Sequence, residues 1–155
     1  MPFYAIAFTV ALLDQLSKYY IQRAFRPGQV VTIIPHVFNL TFVLNPGAAF
    51  GFLAGASANF RNPFFIIVSL LAIVFIVYHR SRYRRMELLP SLGLSLILGG
   101  ALGNLVDRLR LGMVVDFLDF YYGDYHWPAF NVADSAITVG VVLMILQLIA
   151  ERRRR

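Results

Sequence analysis

One hundred and fifty-five residues suit a single domain spanning 1–155. Apolar residues make up 59% and charged residues only 14%, against about 25% charged in an average soluble domain, and mean hydropathy is +0.67. So little polar surface cannot coat a water-soluble globule, and the same numbers exclude disorder, coiled coils and collagen-like repeats. The absence of cysteine removes disulfides, thiol nucleophiles, thiolate zinc sites and iron–sulfur clusters. This is the composition of a small integral membrane protein.

Four apolar stretches follow one another along the chain. The first, 3–21, is interrupted by Asp14, Ser17 and Lys18. It lacks a basic leading region and carries two charges, so it reads as a retained span rather than a cleaved leader. Asp14 and Lys18, four residues apart on one helix face, can pair and lock this helix to its neighbours. The second stretch, 63–78, carries no charge, and its 16 residues cover about 24 Å as helix, short for a bilayer without help from its flanks. The third runs over 88–106 and the fourth over 132–150. Ser91, Ser95, Gly99 and Gly103 recur every four residues in the third, a stripe that admits close helix packing.

The net charge of +6 is concentrated in Arg80, Arg82, Arg84 and Arg85 and in the terminal run 152–155. Both clusters abut apolar stretches, as cytoplasmic flanks of membrane helices do, which puts both termini inside. No basic face is interleaved with aromatics, which argues against nucleic acid as a partner. The outward segments 22–62 and 107–131 are more than linkers. Residues 30–52 are rich in β-branched and aromatic residues with turn signals at Ile34-Pro35 and Asn45-Pro46-Gly47, which predicts short strands or a hairpin. Segment 114–122 is a candidate partner strand, and 53–62 a candidate short interfacial helix.

Charges at membrane depth are costly and mark function by default. Asn104, Asp107 and Arg108 share a face at the outer end of the third stretch, where Asp107 with Arg108 would hold the helix end. Asp116 stands in the apolar run V-V-D-F, and Asp134 in the first turn of the fourth stretch. Asn131 three residues earlier makes Asp134 a natural member of a helix cap, so capping alone would account for it. Yet the return loop delivers both carboxylates to one side of the membrane. Meeting in a partly dry site, they could not both stay ionised, and the pair would hold an acid and a base together. Asp119 and Asp124 read as solvated loop acids. His36, His79 and His126 have no metal-ligand spacing, and G-G-A-L-G lacks the ending of a phosphate loop.

Five ordered blocks carry a resemblance: D-Q-L-S-K at 14–18, N-P-G-A-A-F at 45–50, G-G-A-L-G-N-L-V-D-R at 99–108, V-V-D-F at 114–117 and F-N-V-A-D-S-A-I-T-V-G at 130–140. With them the chain resembles the bacterial lipoprotein signal peptidase family, signal peptidase II. The resemblance implies an all-α integral membrane fold of four transmembrane helices, with a small β-cradle and a short interfacial helix on the outer side. It implies an aspartyl endopeptidase of the inner membrane, working among membrane lipids. Its substrate would be a prolipoprotein, cut just before a cysteine that carries diacylglyceryl. Asp116 and Asp134 match the catalytic dyad. Asn45, Gly47, Asn104, Asp107, Arg108, Asn131 and Ala133 match lining or supporting positions, and Asp14 and Lys18 the family's polar pair. No metal or cofactor is implied. Phe42, Phe50, Phe52, Phe117 and Phe130 are candidates for an acyl-chain lining, with core packing equally able to explain them. Two rivals stand beside this reading: a small proton-coupled transporter using intramembrane carboxylates, and a non-enzymatic scaffold.

Overall fold

The computed structural model describes residues 2–47, 52–83 and 87–153. Four helices carry the fold: α1 (Phe3–Ala24), α2 (Ala58–Arg82), α3 (Leu88–Leu111) and α4 (Val132–Arg153). Between α1 and α2 lie strands β1 (Val30–Ile34) and β2 (Phe38–Asn45); between α3 and α4 lie β3 (Val114–Tyr122) and β4 (Tyr125–His126). The strands form one antiparallel sheet in the order β1-β2-β3-β4. The expected hairpin and its partner strand are both present. Its turn places Pro35 before His36, whose φ is 65°, and Val37 N–H donates to the Ile34 carbonyl at 3.1 Å, as a turn with Pro second and a left-handed third residue requires.

Among the described residues, three helices, α2, α3 and α4, are long and apolar enough to cross a membrane. α1 has the length, with 22 residues, but its polar positions lower its hydropathy. Residues 53–62 do not form the expected interfacial helix. Residues 52–55 are turns, and from Ala58 the chain is already in α2. Pro63 lies inside that helix rather than at its start; so near the N-terminus it forfeits a single bond, to the Asn59 carbonyl. The 25 residues of α2 therefore exceed the short span read from sequence.

α3 is the centre of the bundle, with α1, α2 and α4 all packed on it. Small residues make this possible on two sides. A Cβ on Gly99 would sit 2.6 Å from the Ala7 carbonyl of α1, and one on Gly140 would sit 2.6 Å from the Gly93 carbonyl. The predicted stripe thus faces α1, and a second one, Gly93 and Gly100, faces α4. α3 ends at Gly112, φ 69°, whose N–H caps the Arg108 carbonyl. One apolar cluster (Phe3, Ala7, Ile76, Leu94, Leu98) ties the helices together at one end. A second (Ile21, Phe42, Val115, Phe117) joins the sheet to the end of α1. The start of α1 and the last turn of α2 meet at the end remote from the sheet, where the Arg80 guanidinium stacks 5.5 Å over the Phe3 ring.

Candidate active site

A fully buried ammonium anchors the polar interior. Lys18 Nζ lies 2.8 Å from Asp14 Oδ2 and 2.9 Å from Asp107 Oδ2, and it donates to Asn104 Oδ1 at 2.8 Å. Asp14 Oδ1 accepts the Ala133 N–H of α4 at 2.9 Å, and Asp107 Oδ2 accepts the Val115 N–H of β3 at 3.1 Å. Gln15 reaches the Gly103 carbonyl and Asp107 Oδ1, each at 3.0 Å. The polar pair of α1 does what its spacing predicts: it ties α1 to α3, α4 and the sheet. Asp107, however, pairs with Lys18 rather than with Arg108, because Arg108 turns the other way. Its Nη2 donates to the Gly47 carbonyl at 3.1 Å, and its guanidinium lies 4.4 Å over the Phe65 ring.

From this anchor the network runs to both aspartates. Asn104 passes it on, its Nδ2 donating to Asp134 Oδ1 at 2.8 Å. Asn131 caps α4, its Oδ1 accepting the Asp134 N–H at 2.9 Å while its own N–H reaches Asp134 Oδ2 at 3.3 Å. The same residue's Nδ2 donates to Asp116 Oδ1 at 2.7 Å. Asn45 supplies the other oxygen, with Nδ2 2.9 Å from Asp116 Oδ2, and its Oδ1 accepts the Gly47 N–H at 2.9 Å. The predicted cap at Asp134 is therefore real, and it belongs to the same constellation as Asp116.

Asp116 and Asp134 line one cavity of about 620 Å³, together with Asn45, Gly47, Asn104 and Arg108. Its remaining wall is largely apolar, from Phe65 and Val68 on α2, Ile137 and Val139 on α4, and the run Trp127–Phe130. Asp116 is 2% exposed. Burial, and after it the charge of Asp134, pushes its carboxyl up to about 7, against the hydrogen bonds of Asn45 and Asn131 and the charge of Lys18.

Ala133 and Asn131 are fully buried and support the site from behind. Of the five phenylalanines considered as lining, Phe130 lines the cavity. Phe42 and Phe117 belong to the core under the sheet, Phe52 is exposed, and Phe50 lies outside the described residues. Asp119 is not a solvated loop acid. It is 8% exposed in β3, held by Asn39 and His126. Phe65 and Trp127 escaped the sequence reading, since an apolar residue on a membrane helix carries no mark of the face it occupies, and an aromatic residue in the β4–α4 connection carries no mark of what it covers.

Fold and site together define a helical integral membrane protein with two carboxylates in an apolar cavity beside a small sheet. The model for signal peptidase (SPase) II matches residues 6–150. A lipoprotein signal peptidase of Syntrophus aciditrophicus (strain SB) is 47% identical over 146 residues, 94% of this chain and 91% of that relative. One from Geobacter sulfurreducens is 48% identical over 153 residues, 99% of this chain and 94% of that relative. A bacterial membrane enzyme structure solved by the in meso method at 2.3 Å superposes with a TM-score of 0.87 and 36% identity, covering 97% of this chain and 89% of that one. The chain belongs to the signal peptidase II family.

Proposed function

We propose that this protein is a membrane-embedded aspartyl endopeptidase that removes the signal peptide from prolipoproteins, with Asp116 and Asp134 as its catalytic pair. Family membership over nearly the whole chain supports the reaction and gives no support to a transporter. The observation that carries the residue assignment is the shared cavity, in which two carboxylates are each fixed by two donors and one is held protonated up to about pH 7.

The chemistry follows from that asymmetry. Asp134, at the N-terminus of α4, is favoured as the carboxylate by the helix dipole and by its two donors, and takes a proton from a water molecule. The resulting hydroxide attacks the scissile carbonyl carbon while Asp116 donates its proton to the carbonyl oxygen. The tetrahedral diol collapses with cleavage of the C–N bond as Asp134 returns a proton to the leaving amine nitrogen and Asp116 takes one back from a diol hydroxyl, whose oxygen becomes the carbonyl of the new carboxyl group. No covalent intermediate forms.

The substrate reaches this pair from the lipid. α2 and α4 pack on α3 rather than on each other, so the cavity opens between them, and its apolar wall suits signal-peptide residues and acyl chains. The cut falls before the diacylglyceryl cysteine, whose lipid stays in the bilayer. α1 is the fourth crossing. Its Asp14 and Lys18 are fully buried against neighbours, while Tyr4, Phe8, Leu12, Leu13 and Leu16 point outward, so its lipid-facing surface is apolar. The basic loop and both termini are then cytoplasmic, and the sheet and site lie at the outer face.

The test is cleavage of a lipidated prolipoprotein by purified Asp116→Asn and Asp134→Asn proteins. Each substitution should lower turnover by about a thousandfold or more while the protein stays folded, a loss in the range expected when a paired acid–base residue is removed. Turnover retained within tenfold by either variant refutes the pair.

A further inference from the structure

A further buried carboxylate, apart from both the catalytic pair and the Lys18 network, lies on the part of the sheet that leads into the cavity wall. Asp119 Oδ2 accepts Asn39 Nδ2 at 2.8 Å from the adjoining strand, and the two residues face each other in the β2–β3 register. Asp119 Oδ1 meets His126 Nδ1, also at 2.8 Å. The His126 ring stacks on Tyr121 with centroids 5.0 Å apart and planes 8° from parallel. Tyr121 is itself fixed, its hydroxyl accepting the His36 N–H at 2.9 Å. Half-exposed His126 is thus gripped through one ring nitrogen and one ring face. The ring contact joins partners in the β3–β4 register and so serves that short strand pair, whereas the Asp119 contact adds a bond beyond it, and a carboxylate buried for mere strand pairing would be a poor choice beside an apolar residue.

What His126 leads into gives the grip its meaning. The next four residues, Trp127 through Phe130, all line the cavity, and Asn131, which orients both aspartates, follows at once. Phe130 is pinned to β3 by three backbone bonds, donating to the Leu118 carbonyl at 3.1 Å and accepting from Phe117 and Leu118 at 3.0 and 2.9 Å. At the other end Trp127 N–H donates to the Phe120 carbonyl at 2.8 Å. The Phe130 pins insulate Asn131 and the aspartates from motion upstream. The His126 clip and the Trp127 bond hold the opposite end of the wall.

Resting on the peptidase reading above, we propose that Asn39, Asp119 and His126 form a positioning clip that sets the Trp127–Ala129 wall for substrate binding without touching the catalytic step. Loosening the clip lets the wall move, so substrate binds less well. The pinned Phe130 leaves the catalytic pair in place, so a bound substrate is cut at the normal rate.

The discriminating experiment is steady-state cleavage of a lipidated prolipoprotein by wild type, His126→Ala, Asp119→Ala and His126→Asn. The asparagine amide nitrogen stands where histidine Nδ1 does and still donates to Asp119. The alanine variants should raise KM about 5–10-fold with kcat within twofold, the net worth of one ordinary hydrogen bond at a half-exposed side chain, and His126→Asn should restore KM to within about twofold of wild type. The melting temperature is recorded for each. Unchanged KM in His126→Ala overturns the clip. So does a matching loss of kcat, or failure of His126→Asn to rescue in a protein as stable as wild type. If Asp119→Ala does not fold, the His126 pair of variants decides alone. An inactive wild type would count against the peptidase reading, whereas an active wild type with indifferent His126 variants counts against the clip only.

Discussion

The proposed catalytic pair should be a burden on the fold, and the burden is measurable through pH. Asp116 titrates at 3.8 when unperturbed and near 7 in the folded protein. A carboxyl raised in this way favours the folded state fully only below its unfolded value. As pH rises from about 4 to 7 the unfolded chain releases this proton while the folded chain keeps it, so stability falls, and above 7 the loss is complete. Between pH 5 and pH 8 the linkage amounts to about 2.5 kcal/mol. Asp116→Asn cannot titrate and escapes this loss. It does lose one hydrogen bond, because its amide must face either Asn45 or Asn131, both of which donate, and that costs about 1–3 kcal/mol at every pH. The variant should therefore be the less stable protein at pH 5 and draw level with or overtake wild type by pH 8. For a chain of this size the change in melting-temperature difference is about 5–10 °C across that interval. Thermal unfolding in detergent at several pH values reads it directly. Parallel curves for the two proteins would refute the raised carboxyl, and with it the assignment of the resting proton to Asp116.

Removing the buried cation by Lys18→Met leaves Asp14 and Asp107 without a counter-charge; breaking such a pair costs about 3–5 kcal/mol, a fall of roughly 6–20 °C in melting temperature, and an unchanged value would show that the network is not a stabilising hub. Gly100→Ala would drive a Cβ into the Ala133 carbonyl just before Asp134; an overpacking cost of about 1–3 kcal/mol is expected, with reduced cleavage, while Gly55→Ala, where nothing lies within 4 Å, should leave both stability and cleavage unchanged. Val68→Trp places a large ring in the cavity between α2 and α4 and should raise KM severalfold in an equally stable protein; equal KM would mean the substrate does not enter there.

Much of this was legible in one dimension. Four apolar runs, a hairpin with Pro35 in its turn, and Asn131 three residues before Asp134 are local signals, and local chemistry decides them. Where the reading failed, the deciding contact was remote. Asp119 passes for a loop acid until β2 brings Asn39, 80 residues away in sequence, into register beside it. The inward or outward aim of Phe42 and Phe117 depends on the irregularity in β2–β3 pairing between Leu40 and Val43, since a one-residue shift exchanges the faces of a strand. The helix over 53–62 failed because the second stretch was bounded by its apolar run, which begins at Pro63 after Arg61 and Asn62, whereas α2 starts at Ala58 and takes the proline inside it.

Capping and the proposed catalysis at Asp134 are not rival explanations once the bonds are traced. A cap needs a carboxylate oxygen near the free N–H groups of a first turn, and Asp134 Oδ2 meets the Asn131 N–H there. The same requirement holds the other oxygen, Oδ1, toward Asn104 and the cavity. Asn104 is in turn held by Lys18, which draws Asp14 and Asp107 to it. A stable aspartyl pair in a lipid-bound fold thus needs little dedicated machinery: a helix start supplies one acid with its donors, a strand delivers the other, and a single asparagine side chain spans both. What remains costly is the charge itself. The buried ammonium offsets that cost from the side away from the cavity, leaving the cavity face of the two carboxylates free for the water and peptide of the proposed reaction.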